Sequence, residues 1–154
     1  LTKGFEKMSY DIKVVLDNTE KFSAFLHKKI RAFNNKHSIH HQEVRKKEAV
    51  QPINIIVSDD NRNWIGGLNA DVYWGWMEIN DFWLHEEYRG KGLGGELLEK
   101  AEKIAKEKGA TQSLLTTFEF QARSFYEIKG YQVIGEIKDY PPGSSYYTMT
   151  KKLI

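Results

Sequence analysis

Apolar residues along the chain form short clusters, some at helical spacing and some in β-branched or alternating runs. Ile12-Lys13-Val14-Val15-Leu16 is β-branched and predicts a first strand. Asp17 or Asn18 follows, each with a short side-chain oxygen suited to capping a helix. Phe22, Phe25, Leu26, Ile30 and Phe33 then recur every three or four residues, predicting an amphipathic helix to about Asn35. Residues 36–50 are charged and aperiodic. Strands are predicted over 53–57, 64–73 and 76–85, joined by short turns that favour an antiparallel meander. The first turn, residues 58–63, is rich in side chains that bond their own backbone. A glycine-rich loop then opens a helix with Leu93, Leu97, Leu98, Ala101, Ile104 and Ala105 on one face, stopped by Gly109. A strand over 113–118, a short helix over 121–129 and strands over 131–137 and 146–151 complete the chain. The pattern predicts an α/β (α+β) domain with a mixed, mostly antiparallel sheet of six to seven strands flanked by helices.

Composition narrows what such a domain can do. The chain has 154 residues, suited to one domain, here expected over 8–154 after a leader or expression remnant at 1–7. It has no cysteine, which excludes a disulfide scaffold, thiolate metal sites and a cysteine nucleophile. Lys and Arg number 23 against 21 Asp and Glu, a net charge of +2 that gives no broad basic field for nucleic acid. No apolar run approaches the ~18 residues of a membrane helix, so a cytoplasmic protein without membrane partners is expected. His37, His40 and His41 lie at helix-like spacing but lack a third-ligand pattern nearby, and no metal is expected.

The chemistry is concentrated in Arg89-Gly90-Lys91-Gly92-Leu93-Gly94-Gly95, between a strand and a helix. Closely spaced glycines let the backbone turn tightly and expose its amides. The helix start adds unpaired N–H groups and a positive dipole end, so an anion, most naturally a pyrophosphate, is the expected occupant. A P-loop is excluded because Glu96 follows Gly95 where Lys-Ser/Thr is required. Gly90, Gly92 and Gly95 formally match the dinucleotide fingerprint, with Glu119 as a ribose-binding acid. That fingerprint opens a parallel βαβ unit, whereas this loop follows a meander, with too little chain left for a second half.

Arg89, Gly92 and Gly94 fit R-x-x-G-x-G, and residues 122–131 (Ala-Arg-Ser-Phe-Tyr-Glu-Ile-Lys-Gly-Tyr) fit A-x-x-x-Y-E-x-x-G-F/Y. With both motifs in order within this topology, the sequence resembles the GNAT family of acetyl-CoA-dependent N-acetyltransferases, over essentially residues 12–153. The resemblance implies a fourth strand splayed from the fifth, with the acetyl-pantetheine arm between them. It implies that Phe82 and Leu84 offer backbone groups to the arm, the Leu84 amide meeting the thioester oxygen. Amides of Arg89, Gly90, Lys91, Gly92, Leu93, Gly94 and Gly95 would hold the pyrophosphate, with Arg89 and Lys91 supplying charge.

An alkyl amine of pKa ~10 must lose a proton before it attacks a thioester, and the departing thiolate benefits from a donor. Tyr126 matches the family's frequent general acid. Glu78, eleven positions before Arg89, stands where histone-acetylating relatives carry a glutamate base. Strand alternation places Glu78 with Asn80, Phe82 and Leu84, and Asp81 on the other face. Asp81 and ordered water are the alternative bases. Glu119 replaces the Asn that the family often has seven residues before the tyrosine, and could instead attract a cationic amine. Trp74, Trp76, Tyr140, Tyr146 and Tyr147 could flank an acceptor.

The reading is an acetyl-CoA-dependent N-acetyltransferase acting by direct attack on a small primary amine, in an acceptor pocket that relatives often complete with a dimer partner. A protein or peptide N-acetyltransferase and a non-catalytic CoA- or dinucleotide-binding module are the alternatives.

Overall fold

The computed structural model describes residues 8–154, and the expected leader lies outside them. The chain divides after Ile39 into two compact units.

In the first unit, the predicted helix is α1, Glu20–His37. Its N-cap is Thr19 rather than Asp17 or Asn18: the Thr19 carbonyl accepts from the amides of Phe22 and Ser23 at 3.1 and 3.0 Å. The expected strand at Ile12–Leu16 does not form, and these residues have no regular secondary structure. A β-branched run becomes a strand only where another strand meets its amides, and this unit contains none among its described residues.

A short helix, α2 (Ile39–Glu43), spans the division, and the second unit continues with the predicted meander. Its strands are β1 (Gln51–Ser58), β2 (Trp64–Tyr73) and β3 (Trp76–Leu84). Asp59 closes the first turn, its Oδ1 accepting from the amides of Asn61 and Asn63 at 2.8 and 2.9 Å. Trp74 and Gly75 make the second, both at positive φ. Then come α3 (Leu93–Glu107), β4 (Gln112–Phe118), α4 (Arg123–Ile128), β5 (Gln132–Lys138) and β6 (Ser145–Lys152). The described residues thus form one six-stranded sheet in the order β1-β2-β3-β4-β6-β5, antiparallel except where β3 meets β4. This is the mixed sheet the pattern predicts, short of a seventh strand.

Leu98, Ala101 and Ala105 of α3 bury the inner face of the sheet with Leu68, Ala70, Val72, Met77 and Ile79. Two glycines let β2 lie close between its neighbours. A Cβ on Gly67 would sit 2.3 Å from the Ile55 carbonyl oxygen, and one on Gly66 would sit 2.6 Å from that of Trp83. Backbone oxygens cannot swing aside, so both contacts require glycine.

Candidate active site

β3 and β4 pair at only three positions: Trp76 with Gln112, Met77 with Ser113 and Glu78 with Leu114. Beyond Glu78 they part. β3 stays paired with β2 as far as Leu84, and β4 with β6 as far as Phe118. Opening a parallel pair leaves one edge of each strand with N–H and C=O groups that water or a ligand must satisfy. A cavity of about 620 Å³ occupies this opening, walled by Phe82, Trp83 and Leu84 on one side and by residues 120–122 with Phe125, Tyr126 and Lys129 on the other.

The glycine loop closes one end. Glu86–Tyr88 form a short 3-10 turn, and the Arg89 amide donates to the Glu86 carbonyl at 3.1 Å. The Arg89 side chain turns back, its Nε donating to the Leu84 carbonyl at 2.8 Å, so loop and strand end are tied together. Gly90 and Gly92 take φ of 73° and 84°, a conformation that other residues adopt only with strain. The first helical bond of α3 runs from the Glu96 amide to the Gly92 carbonyl at 3.1 Å. The amides of Leu93, Gly94 and Gly95 precede it and have no helical acceptor. Arg89 and Lys129 bring the charged side chains to the cavity wall, and among the described residues no carboxylate lines it. Lys129 Nζ is also paired with Glu99 Oε1 at 3.6 Å, so the helix dipole and Arg89 carry most of the positive potential there.

At the other wall stands Tyr126, only 7% exposed and packed against Phe82, Phe125 and Tyr131 at ring separations of 6.4, 5.2 and 5.7 Å. Burial pushes its phenol up to about 12. A neutral phenol at the edge of a mostly apolar cavity is a proton donor throughout the physiological range.

The structure thus brings Phe82, Leu84, Arg89, Gly90, Gly92, Gly94, Gly95 and Tyr126 to one cavity. The side chains of Lys91 and Leu93 do not wall it, nor do Glu78, Trp76 or Glu119. Glu119 is exposed just beyond β4, with its amide donating to the Ser145 carbonyl at 2.9 Å. Trp76 is half-buried, opposite Tyr73 and Gln112.

Glu78 calls for a correction. The β2–β3 register slips between Asn69 and Ala70, so that Asn69 faces Asp81, Ala70 faces Ile79, and Asn80 is an extra residue. This bulge resets the alternation. Met77 and Ile79 before it and Phe82 and Leu84 after it share the inner face, while Glu78 and Asp81 both lie outside. Glu78 is therefore not on the face of Phe82 and Leu84, as simple alternation predicts. It stands at the last paired position before the strands part, accepting a hydrogen bond from the Tyr73 hydroxyl. That bond to the carboxylate is the main reason the Tyr73 phenol rises to about 12. Asp71, opposite Glu78, accepts from Asn80 Nδ2 at 2.9 Å.

Four contributors escaped the sequence pattern: Trp83, Phe120, Gln121 and Lys129. Lys129 Nζ lies where a Cβ on Gly95 would come within 2.6 Å of it, so Gly95 gives the lysine room at the start of α3. No local signal links these two positions, which meet only through packing of α4 beside α3.

The family model for the acetyltransferase (GNAT) family matches residues 18–131. The chain belongs to this family. A blasticidin-S acetyltransferase of Streptomyces morookaense is 39% identical over 89 residues, covering 57% of the chain and 65% of that relative. The match thus spans a little under two thirds of the relative's length. A crystal structure of an acetyltransferase from Bacillus cereus ATCC 14579 superposes with a TM-score of 0.78 at 28% identity, covering 91% of this chain and 97% of that one. A streptothricin acetyltransferase structure from Bacillus anthracis str. Ames, in complex with acetyl coenzyme A, shares the fold at a TM-score of 0.58 and 21% identity, over 77% and 70% of the two chains.

For a GNAT domain the relevant ligand is acetyl-CoA, and the cavity has what that molecule requires. Free amides, Arg89 and Lys129 suit phosphates. Unpaired strand edges suit the amide groups of a pantetheine arm. The apolar wall of Phe82 and Phe125 suits its methylenes.

Proposed function

We propose that the protein transfers an acetyl group from acetyl-CoA to the primary amine of a small molecule, by direct attack with both substrates bound. The observation that carries this reading is the parting of β3 and β4 beyond Glu78, with a glycine-loop anion site at one end and a neutral buried tyrosine at the wall. The coenzyme supplies the acetyl group as a thioester. Amides of residues 90–95, Lys91 and Leu93 included, hold its pyrophosphate, with charge from Arg89, whose own amide is bonded to Glu86. Backbone groups of Phe82 and Leu84 bind the arm, and the Leu84 amide donates to the thioester oxygen as charge grows there. Tyr126 gives its proton to the departing sulfur.

Glu78 takes the proton of the amine, held in place by the Tyr73 hydroxyl at the point where the strands separate. Asp81, displaced to the same face by the bulge, joins Asp71, which is opposite Glu78, as a further acidic group there. Glu119 and Trp76 border the acceptor and favour a cation. The absence of cysteine leaves no thiol for an acetyl-enzyme, consistent with direct transfer.

The blasticidin-S relative suggests the kind of acceptor, a small-molecule antibiotic amine. Among the described residues no helix is long and apolar enough to cross a membrane, and the proposed enzyme works in the cytoplasm, where acetyl-CoA is made and used. The test is release of free thiol from acetyl-CoA in the presence of blasticidin S, streptothricin, aminoglycosides, polyamines, amino acids and lysine peptides. Saturable release with a small amine and none with peptides is expected. Release with peptides alone would transfer the reading to a protein acetyltransferase.

A further inference from the structure

Four aromatic rings meet where β4 ends and β6 begins. Phe118 and Tyr146 are cross-strand partners with ring centroids 4.7 Å apart, and Tyr140 packs on both, at 6.3 and 5.6 Å. Phe120 lies flat against Phe118, with centroids 5.4 Å apart and planes within 7°. The loop that carries Phe120 is firmly held. The Gln121 side chain accepts from the Phe118 amide at 2.8 Å, the Gln121 amide donates to the Phe118 carbonyl at 3.0 Å, and Glu119 is bonded to Ser145. Even so, Phe120 remains 69% exposed and Tyr140 56%.

A phenylalanine fixed by a hydrogen-bonded turn, stacked on one face and open on the other, is a preorganised platform for a third ring. Phe120 also lines the cavity that holds Tyr126, so the platform is continuous with the proposed site of transfer. Exposed aromatic surface joined to a reactive cavity is where a substrate covers apolar area.

We propose that the acceptor amine carries a planar aromatic or heteroaromatic ring that stacks on the open face of Phe120, making the Phe118–Phe120–Tyr140 wall the determinant of acceptor specificity. The inference rests on the acetyl-transfer reading. Stacking needs a flat π face, so an aliphatic polyamine or a saturated ring of equal size gains little from this wall.

The experiment compares phenethylamine, tryptamine and an aminonucleoside with cyclohexylethylamine and a linear diamine, at saturating acetyl-CoA. Flat-ring amines are expected to show kcat/KM about tenfold or more above their saturated counterparts. Phe120→Ala should abolish that preference and Phe120→Trp should keep it, whatever either does to the KM for acetyl-CoA, since Phe120 also lines the coenzyme cavity. Equal or better use of saturated amines overturns the inference. So does a Phe120→Ala protein that keeps the flat-ring preference while its KM for acetyl-CoA rises, which would assign the ring to the coenzyme alone. Stabilisation by acetyl-CoA without turnover of any flat-ring amine overturns it too, while leaving the coenzyme site standing. Failure of acetyl-CoA to stabilise the protein at all overturns the underlying reading instead.

Discussion

A phenol surrounded by Phe82, Phe125 and Tyr131 keeps its proton because the phenolate would lose hydration and gain no compensating partner. On the account given above, Tyr126→Phe removes the donor for the departing thiolate but keeps the ring. It should lower kcat about 10²- to 10⁴-fold while leaving acetyl-CoA affinity nearly unchanged, as thiol release and calorimetric titration would measure. Since the phenol titrates near 12, the wild-type rate should show no loss assignable to Tyr126 below about pH 11. At this scale the sequence was informative where a residue belongs to a contiguous motif, as Tyr126 does between Ala122 and Tyr131. It was silent on Lys129, a variable position of the same motif, and on Phe120, which gain meaning only from the Gly95 backbone and the Phe118 ring packed against them.

Among the elements, the glycine loop and the strand it follows form a single device. Arg89 joins them through the Leu84 carbonyl, and the three amides opening α3 have no helical acceptor. Gly90 meets nothing within 4 Å of a built Cβ, yet its φ of 73° makes any side chain strained. Gly90→Ala should therefore cost about 1–2 kcal/mol in the folded loop and raise the KM for acetyl-CoA, with little effect on the rate at saturation. Gly67→Ala faces a different obstacle, the Ile55 carbonyl oxygen 2.3 Å away. Its expected loss is about 2 kcal/mol or more of stability, seen in the denaturation midpoint of the protein without ligand.

Element boundaries from 51 onward were largely readable, because turns such as Asp59–Asn63 and Trp74–Gly75 are written in local chemistry. The bulge at Asn80 was not. A bulge is a property of the pairing between β2 and β3, so alternation counted along β3 alone carries Glu78 to the wrong face. The run Ile12–Leu16 misled for a related reason, since β propensity states readiness to pair and says nothing of a partner.

For the whole molecule, the sheet divides the labour. Its inner face is covered by α3, and its outer face carries Tyr73, Glu78 and Asp81. Three tyrosines, Tyr73, Tyr126 and Tyr131, have phenols raised above the ordinary value, the first mainly by its bond to Glu78 and the others mainly by burial. A folded-state pKa above the unfolded value means the native protein holds protons that the unfolded chain has released. Stability from these groups is thus complete below about pH 10 and is lost as pH rises toward 12 and beyond. Denaturation followed from neutral to alkaline pH should show that decline beginning near 10.

Element order and family were within reach of the sequence because two motifs occur in the right order around a predicted meander. The identity of the ligand at the glycine loop was the open point, since Gly90, Gly92 and Gly95 also fit a dinucleotide fingerprint. A thermal-shift titration of the purified protein with acetyl-CoA, CoA and NAD addresses it directly. Acetyl-CoA and CoA should raise the melting temperature saturably, with NAD giving no comparable shift. Stabilisation by NAD alone would contradict the acetyl-CoA site and the reaction built on it.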